Sequence, residues 1–471
     1  MSEKKRSEVA DVDRSLYDFT KSEEGYERYD DGLTPEIVRA ISEKKEEPEW
    51  MLQMRLSALE TYHQRQMATN WGPSIAGLDL NHISTYVSPK TQQANSWDDV
   101  PEDIRDTFDR LGIPQAEAES LAGVGAQYDS EIVYHNMREE VAEQGVIYTT
   151  IEDALHDPQW EPVVKEYFGK LIPPSDHKFA ALHYAVWSGG SFVYVPKNVT
   201  LDYPLQSYFR LNAQGAGQFE HTLIIVEEGA DLHFIEGCSA PKYYAANLHA
   251  GAVELFVKDG ARLRYSTIEN WSKNMYNLNT KRAIIGSNAK MEWVSGSFGS
   301  HVSYLYPSTI MNGDSSNCEF TGITFAGATQ DLDTGCKVII NGSNNSANVD
   351  TKSISKDGGV NTFRSAVTVG RKAENARVAF SCQSLMLDNI SRSDTIPEMV
   401  RNATAQIGHE ATIGRISDDT VLYLMSRGCS EAEARTMVVN GFANPVSKEL
   451  PMEYAVEMNN LIKLEMEGAI G

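Results

Sequence analysis

A unit of about 30 residues repeats through the middle of the chain, and it restricts the fold more than any other sequence feature. Each unit has an apolar residue, two or three turn formers, a small residue and then alternating apolar positions. The units begin at Val226, Val257, Ile285, Met311, Ile340 and Val369, so successive starts differ by 31, 28, 26, 29 and 29 residues. This self-similarity with two-residue alternation predicts a solenoid whose coils contribute strands to a common core.

A parallel β-helix fits this repeat best. Gly229, Gly260, Gly313 and Gly342 lie where the chain must reverse direction, and glycine admits a positive φ angle without a Cβ clash. Leucine-rich and helical repeats fit poorly, because the units lack a leucine ladder and their Asn, Gly and Ser content opposes helix. An ordinary β-sandwich with regular turns is the alternative.

Helical patterns flank the repeat, so we expect a mainly β protein with α-helical ends. The predicted regions are a mainly helical region over residues 1–180, a parallel β-helix core over 181–416 and a helical region over 417–471. In the first region, Thr34 reads as a helix N-cap before Pro35, and further helices are predicted over 102–111, 131–143 and 151–168, the last interrupted by prolines.

The C-terminal region shows two clear helix signals. Ser430 and Glu433 form a capping box for a helix over 434–440 that Gly441 is expected to end. A last helix is predicted over 452–466. Its broad apolar face is compatible both with docking on a partner and with packing against the chain's own solenoid.

Charge and cysteine content narrow the function. The chain has 42 basic and 66 acidic residues, a formal net charge of -24, so we expect neither nucleic acid nor a membrane among its partners. Residues 1–15 lack the apolar stretch of a signal peptide, and no segment is apolar enough to span a bilayer, which predicts a cytoplasmic protein. Five cysteines without a Cys-x-x-Cys motif are then expected to be free thiols.

A candidate metal site follows the last repeat. Strand alternation places Cys382 on the same face as Phe380, a face that is expected to point inward. A lone cysteine there is more often a small buried hydrophobe than a ligand. His409 and Glu410 follow about one coil later, but neighbouring strand residues point to opposite faces, so both reach one metal only at a bend, which Gly408 could provide.

Thiolate, imidazole and carboxylate ligands together suit iron, and soft sulfur ligation is what iron-sulfur clusters require. Since one cysteine cannot complete a cluster, the other ligands come from a second subunit or the cluster is held loosely for transfer. Cys238 is the second candidate thiol, predicted at a turn where it would be accessible for sulfur transfer. Cys318, Cys336 and Cys429 look structural. No phosphate-binding loop is present, so we expect no ATP hydrolysis by this chain alone.

Four motifs, Glu236-GCSAP, Tyr265-STIENW, His409-EAT and Met437-VVNGF, resemble those of the SufB/SufD family of iron-sulfur cluster assembly proteins of the SUF system. The resemblance runs from about Gly32 to Gly471. It implies a right-handed parallel β-helix between helical ends. It also implies partners: the ATPase SufC at the C-terminal helices, the paralogue SufD or a second copy of the chain, a cysteine desulfurase with its sulfur carrier, and recipient apo-proteins.

By position, the resemblance implies that Cys238 receives sulfur and that Cys382 with Glu410, and with His409 as a further ligand, holds the nascent iron-sulfur cluster. The cluster type stays open, with [4Fe-4S] among the candidates. Positions that match a proposed sulfur path are Arg210, Asn212, Trp271 and Lys281. Without the resemblance, the sequence favours ordinary surface or turn residues at these positions.

This chain departs from its relatives at two positions. Glu269 stands where they often have glutamine, and Gly408 where an acidic residue often precedes the His-Glu pair. The first would alter the charge along the path, and the second removes one ligand. Reduced flavin has been linked to the family, although no flavin motif is recognisable here.

The leading hypothesis is therefore a cluster-assembly scaffold rather than an enzyme. It would accept persulfide sulfur, combine it with iron and release a cluster as its ATPase partner cycles. One alternative is a structural partner subunit of the same complex, similar to SufD, without its own acceptor thiol. Another is a polysaccharide-acting β-helix enzyme, which predicts secretion and a cluster of aspartates in a cleft.

Overall fold

A computed structural model describes residues 18–30, 32–68 and 70–466. Residues 1–15, on which the expectation of no signal peptide rests, lie outside these ranges. In chain order the strands are β1 (Glu27–Tyr29), β2 (Tyr86–Ser88), β3 (Gly123–Tyr128), β4 (Glu131–Met137), β5 (Ile147–Thr150), β6 (Ser191–Val195), β7 (Leu205–Arg210), β8 (Gly217–Gln218), β9 (His221–Val226), β10 (Asp231–Ser239), β11 (Asn247–His249), β12 (Ala252–Val257), β13 (Arg262–Asn270), β14 (Met275–Asn277), β15 (Thr280–Ile285), β16 (Lys290–Phe298), β17 (Val302–Leu305), β18 (Ser308–Met311), β19 (Asn317–Ala326), β20 (Asp331–Ile340), β21 (Ser346–Ser355), β22 (Val360–Val369), β23 (Arg377–Met386), β24 (Arg392–Val400) and β25 (Gln406–Arg415).

Helices precede and follow the main run of strands. They are α1 (Pro35–Lys44), α2 (Glu49–Gln64), α3 (Glu102–Arg110), α4 (Ile113–Ser120), α5 (Glu139–Ala142), α6 (Ile151–His156), α7 (Glu161–Tyr167), α8 (Lys178–Val186), α9 (Asp418–Ser426), α10 (Glu431–Ser447) and α11 (Met452–Met466).

The strands form a β-solenoid of about 8 turns, which confirms the predicted fold class. A first sheet of ten strands has the order β25-β23-β21-β19-β16-β13-β10-β7-β3-β4, and its strands from β7 to β25 pair in parallel. The second sheet runs alongside it from β5 and β6 through β9, β12, β15, β18 and β20 to β22 and β24. Apolar side chains between the two sheets form a continuous core along the solenoid.

The repeat read from the sequence is the repeat of the structure. The six apolar residues that open the sequence units end successive strands of the second sheet and are aligned as direct neighbours, from Val226 beside Val257 to Ile340 beside Val369. Gly229 has the expected positive φ of 69°. Gly313 has a different role, because a Cβ there would lie 2.0 Å from the backbone nitrogen of Ser287 in the preceding coil.

Helices cover the outer faces of both sheets. The helices α1, α2, α6, α7 and α8 bury apolar side chains against the outside of the second sheet. The helices α3, α4, α10 and α11 do the same on the first sheet. Leu461 and Ile462 of α11 are fully buried there, so this helix packs on its own solenoid, while Val456 of the same helix stays exposed.

Glu254 anchors the N-terminal region to the second sheet. It lies on β12 with its side chain on the outer face, and its carboxylate accepts hydrogen bonds from the backbone nitrogens of Gly169, Leu171 and Ile172 at 2.6, 2.6 and 2.9 Å. The loop after α7 is therefore tied to the sheet through backbone groups that would otherwise be buried without partners.

Two local predictions are wrong. Residues 131–137 form β4 rather than a helix, because Ile132 and Tyr134 pair with Gln127 and Ala126 of β3 in an antiparallel hairpin with a bulge at Val133. The helix α10 does not end at Gly441 but continues through Pro445 to Ser447. Burial of Ala443 and Val446 in the core stabilises this last part against the low helix propensity of glycine and proline.

The other helix signals are confirmed. The Thr34 hydroxyl accepts a hydrogen bond from the nitrogen of Ile37, and Ser430 with Glu433 forms a reciprocal capping box. Of the two prolines predicted to interrupt 151–168, Pro158 lies between α6 and α7, whereas Pro162 is in the first turn of α7. Within the described residues, no helix is both long enough and apolar enough to cross a membrane.

Candidate functional site

Two rows of inward-facing residues run along the first sheet and connect the two candidate thiols. Strand register aligns the first row in the order Cys238, Glu269, Ser297, Thr324, Ser353 and Ser384. The second row, two residues earlier on each strand, is Glu236, Thr267, Ser295, Gly322, Thr351 and Cys382. Cys238 begins one row and Cys382 ends the other, five strands apart or about 24 Å at 4.8 Å per strand. We call these the two polar rows.

Cys238 lies inside strand β10 and is 1% exposed, so its predicted place at an accessible turn is wrong. The neighbouring glycine does not make a turn: a Cβ on Gly237 would lie 2.5 Å from the ring of Tyr208, so glycine here permits close packing. The Cys238 thiol lies 3.8 Å from Oε1 of Glu236 and donates to it. Burial, reinforced by the Glu236 carboxylate, raises the pKa of this thiol well above its usual value.

A buried ion pair lies next to Cys238. The Nζ of Lys281, on the inner face of β15, donates to Oε1 of Glu236 at 2.5 Å and to the Thr267 hydroxyl at 2.9 Å. Burial opposes both charges, but each partner favours the charge of the other. The pKa of Glu236 is therefore lowered and that of Lys281 raised, so both stay ionised at neutral pH.

Further titratable groups extend this network across the interior. Glu269 accepts hydrogen bonds from the Asn277 amide at 2.9 Å and the Ser297 hydroxyl at 3.0 Å, and burial raises its pKa. Asn277 in turn contacts His249 at 2.8 Å. Burial disfavours the imidazolium form of His249, but the Glu220 carboxylate 2.5 Å away raises its pKa. The interior around Cys238 therefore holds both charges and groups that can exchange protons.

The four residues matched to a sulfur path differ in how they lie relative to Cys238. Lys281 and Cys238 both donate hydrogen bonds to Glu236. Trp271 belongs to the same buried cluster as Cys238. Arg210 and Asn212 lie at and beyond the end of β7. Arg210 donates to the hydroxyl of Ser239, the residue after Cys238, at 3.1 Å and to the carbonyl of Phe19 at 2.9 Å, and Asn212 exchanges hydrogen bonds with the backbone of Lys21. These two residues hold the N-terminal segment in place.

Two small cavities lie between the thiols. The Lys281 cavity, about 20 Å³, is bordered by Thr267, Glu269, Asn279 and Lys281. The Cys382 cavity, about 30 Å³, is bordered by Ser297, Thr351, Ser353, Cys382 and Ser384. Both share the lining residues Ser295, Leu305, Pro307 and Phe320. Each has room for about one or two water molecules, so they suit one sulfur atom at a time rather than a larger cofactor.

Cys382 and His409 meet at the far end of the solenoid. The Sγ of Cys382 lies 3.8 Å from Nε2 of His409 across β23 and β25. Cys382 is 2% exposed, as the alternation predicted, and burial raises the pKa of its thiol. The His409 ring also lies 6.1 Å from the ring of Phe380, its direct neighbour in the sheet.

Glu410 is not brought to this pair. The bend predicted at Gly408 is absent, since β25 keeps an unbroken register with β23 from Gln406 to Arg415. Adjacent residues of a regular strand face opposite sides, so Glu410 lies on the face away from Cys382. No group of three His, Cys, Asp or Glu side chains is arranged to hold a metal ion in the parts of the chain that are described. Cys382 and His409 supply two donors, and a metal would need more from elsewhere.

The remaining cysteines have separate environments. Cys318 and Cys336 are buried in the solenoid core, and burial raises the pKa of Cys318 to about 12. Cys429 lies between α9 and α10, where its Sγ is 3.9 Å from the sulfur of Met437.

Sequence reasoning missed Glu236, His249 and the hydroxyl residues of the polar rows. A signal was present: each strand of the first sheet from β10 to β23 carries an apolar residue and then two polar or small residues at two-residue spacing, as in Phe234, Glu236 and Cys238 or Trp293, Ser295 and Ser297. Small polar residues at core positions in successive repeats indicate a hydrophilic interior.

Comparison with known proteins agrees with this architecture. The family model described as the SufBD core domain of SUF-system Fe-S cluster assembly matches residues 209–442, and that of the SufBD N-terminal region matches residues 40–207. The chain belongs to the SufBD family. The SufBD core match contains both polar rows, Lys281 and His409.

Curated relatives match the SufBD protein over almost its whole length. The iron-sulfur cluster assembly protein SufB of Bacillus subtilis is 49% identical over 98% of this chain and 99% of its own. The iron-sulfur cluster assembly SufBD family protein of Staphylococcus haemolyticus is 50% identical over 98% and 99%, and a SufBD family protein of Staphylococcus aureus gives the same values. The protein is thus an iron-sulfur cluster assembly protein of the SufB/SufD family.

Proposed function

We propose that this protein is the sulfur-accepting scaffold subunit on which a transferable iron-sulfur cluster is built. The observation that carries the proposal is the pair of polar rows, with one thiol at each end and two cavities between them. A solenoid core needs no hydroxyl or carboxylate side chains for its stability, and burying them is costly unless they are used or paired. A route for sulfur through the interior accounts for them.

In this proposal Cys238 takes the outer sulfur of a donor persulfide, and the donor leaves as a thiol. Lys281 would stabilise the resulting persulfide anion. Two electrons from an external reductant, for which reduced flavin is the candidate, would cleave the S–S bond, restore the Cys238 thiol and release hydrosulfide, which the hydroxyls of the polar rows would solvate on its way to Cys382. At that end Cys382 and His409 bind the growing cluster, which is cargo rather than a permanent cofactor. Cluster type and the binding of reduced flavin stay predictions.

The exposure of the last coil supports the proposal that a second polypeptide supplies the missing cluster ligands. Strands β24 and β25 are exposed, and five apolar side chains of this end are open to solvent: Ile390, Ile396, Met399, Val400 and Ile413. An uncovered sheet edge with apolar residues is a typical docking surface. We propose that SufD or a second copy of the chain pairs here, close to Cys382 and His409.

A separate surface suits the ATPase partner. The C-terminal helices expose a second set of apolar side chains, namely Leu422, Tyr423, Met425, Met437 and Val456. Because α10 and α11 also pack on the outside of the first sheet, movement of these helices would be transmitted to the strands that carry the polar rows. We propose that SufC binds this surface. A cytoplasmic location and sulfur supply by a cysteine desulfurase belong to the same proposal.

The deciding experiment follows sulfur and iron separately in the complex with both partners. Labelled cysteine and the desulfurase supply sulfur, and mass spectrometry of peptides locates it, while iron and acid-labile sulfide assays report the cluster. Cys382→Ala should keep labelled sulfur on Cys238 but lose the cluster. Cys238→Ala should lose both, yet regain a cluster with inorganic sulfide. Cys318→Ala, another buried core cysteine, is the matched control and should retain both.

The burial of Cys238 favours one other candidate, a structural partner subunit without an acceptor thiol. In that case Cys238→Ala would leave enzymatic sulfur incorporation unchanged. Unchanged cluster content in Cys382→Ala would remove the scaffold assignment itself.

A further inference from the structure

A large cleft lies outside the solenoid and takes no part in the proposed sulfur route. It has a volume of about 490 Å³, within the usual range for small-molecule sites. One wall is the segment after α2 together with the start of α8, and the other is the outer face of the second sheet. Its floor reaches Asn279 and Tyr306, which also border the Lys281 cavity.

The cleft carries positive charge on a strongly acidic protein. Two of its arginines are neutralised, Arg282 by Asp176 at 2.8 Å and Arg364 by Asp333 at 2.7 Å. Among the described residues, no carboxylate lies within 4.0 Å of the other lining cations, which are Arg65, Lys178 and Lys337. Lys178 donates to the carbonyls of Tyr62 and Arg65 at 2.9 and 2.7 Å, and Arg65 donates to the carbonyl of Ser175, so each keeps further N–H groups for a ligand. Glu398 is the remaining acidic lining residue, so two positive charges are unbalanced. A phosphate monoester carries nearly two negative charges at neutral pH.

Aromatic rings form one side of the cleft. Trp71 and Tyr306 contact edge to face with centroids 6.0 Å apart, and Tyr304 stacks on Tyr306 at 6.3 Å. The Arg364 guanidinium lies over the Trp71 ring, 4.2 Å from its centroid, and the side chain is still 44% exposed, which is unusual for so large an apolar group. Such rings favour a planar ligand that can stack on them or meet their edges.

Two buried polar side chains without hydrogen-bond partners border the same cleft. Asn279 is 4% exposed, and neither its amide nitrogen nor its oxygen has a hydrogen-bond partner. The hydroxyl of Ser308, also 4% exposed, has none either. A buried polar group without a partner costs free energy. A ligand that carries both a donor and an acceptor would satisfy them.

We propose that this cleft binds a phosphate ester of a planar heterocycle, of mononucleotide size. The phosphate is held by Arg65, Lys178 and Lys337, the ring lies against Trp71 and Tyr306, and the hydrogen-bonding edge of the heterocycle pairs with Asn279. Because Asn279 also borders the Lys281 cavity, the bound ring lies one side chain away from the solenoid interior. This site is independent of the sulfur-accepting role.

Isothermal titration calorimetry on the full chain tests the proposal, with the four ribonucleoside 5′-monophosphates as probes and adenosine, ribose 5-phosphate and inorganic phosphate for comparison. At least one monophosphate should bind at a single site about tenfold more tightly than any of the partial probes. Affinity should fall as salt is added, since two charges are neutralised.

Two variants locate the site. Lys337→Glu should weaken nucleotide binding about tenfold or more, and Asn279→Ala should weaken it about fivefold without changing the weaker binding of ribose 5-phosphate. Lys372→Glu makes the same charge change at an exposed lysine outside the cleft and should bind as the parent does. Circular dichroism confirms that each variant is folded. The proposal is overturned if no monophosphate gives saturable heat, if inorganic phosphate binds equally well, or if both cleft variants bind like the parent.

Discussion

The imidazole of His409 lies 3.8 Å from the thiol of Cys382, whereas the carboxylate of the next residue, Glu410, lies on the opposite face of the same strand. A regular strand cannot direct two consecutive side chains to one metal. The donor pair at the end of the solenoid is therefore sulfur and nitrogen.

Replacing His409 is expected to harm cluster retention more than replacing Glu410. In the complex with both partners, His409→Ala should lower bound iron and sulfide at least about threefold, because a ligand beside Cys382 is lost. Glu410→Ala should keep most of the cluster. Iron and acid-labile sulfide assays measure both, and the reverse order would show that the strand bends when the cluster forms.

The buried pair of Lys281 and Glu236 should be costly to break on one side only. Lys281→Met leaves a carboxylate buried without its cation and should lower stability by about 3 kcal/mol. The double variant with Glu236→Gln should recover part of this loss, as seen in thermal unfolding midpoints. Lys197→Met at the exposed pair with Glu228 is the control and should leave the unfolding midpoint nearly unchanged.

Filling the space between the two cavities should block sulfur movement. Ser295 lines both, so Ser295→Val adds bulk at the point they share. We expect labelled sulfur to stay on Cys238 and little cluster to form. Ser295→Ala removes the hydroxyl without adding bulk and separates the two effects: if alanine is as harmful as valine, the hydroxyl rather than the open space is what matters.

Glu254→Ala should loosen the N-terminal region from the second sheet. Three backbone N–H groups would lose their acceptor, at a cost of at least about 3 kcal/mol. Limited proteolysis should then cut faster within 169–175, while the solenoid resists. Glu228→Ala, at an exposed glutamate, should leave the pattern unchanged, and equal cutting in both variants would disprove the anchoring role.

Stability should depend on pH through His135. Burial lowers the pKa of His135 to about 4, whereas an unfolded histidine titrates near about 6.5. Below that value the unfolded chain binds a proton here that the folded chain does not. Neutral His135 therefore makes its full contribution to the free energy of unfolding above about pH 6.5. As the pH falls from there toward 4, this free energy decreases by about 1.4 kcal/mol per pH unit.

Thermal unfolding between pH 7.5 and 5.5 measures this contribution. The midpoint of His135→Phe, which keeps a ring against Tyr148, should fall less over this range than that of the parent. His82→Phe, at an exposed histidine, should fall as the parent does. Identical slopes for all three proteins would exclude His135 as the source.

The fold could be predicted to a large extent because the repeat is local. Each unit carries its own turn and its own alternation, so counting from Val226 to Val369 already gives the neighbours in the second sheet. The same alternation placed Cys382 inward and brought His409 to within one coil of it.

Other features depend on distant parts of the chain. Cys238 looked like a turn residue because of Gly237 and Pro241, but the glycine accommodates the ring of Tyr208 from the neighbouring strand. Residues 131–137 have a helix-like pattern until β3 offers them a pairing edge. The pairing of Lys281 with Glu236 joins opposite sheets, so no spacing along the chain reveals it.

Because the final coil is exposed, the two ends of the solenoid differ in how readily they unfold. A stack of coils is stabilised by nearest-neighbour contacts, so fraying begins where one neighbour is missing. In this chain that end holds Cys382 and His409. Any molecule that covers β24 and β25 therefore also orders Cys382 and His409. If a cluster binds these two residues as proposed, thermodynamic linkage requires that the cluster and that molecule strengthen each other's binding by the same factor.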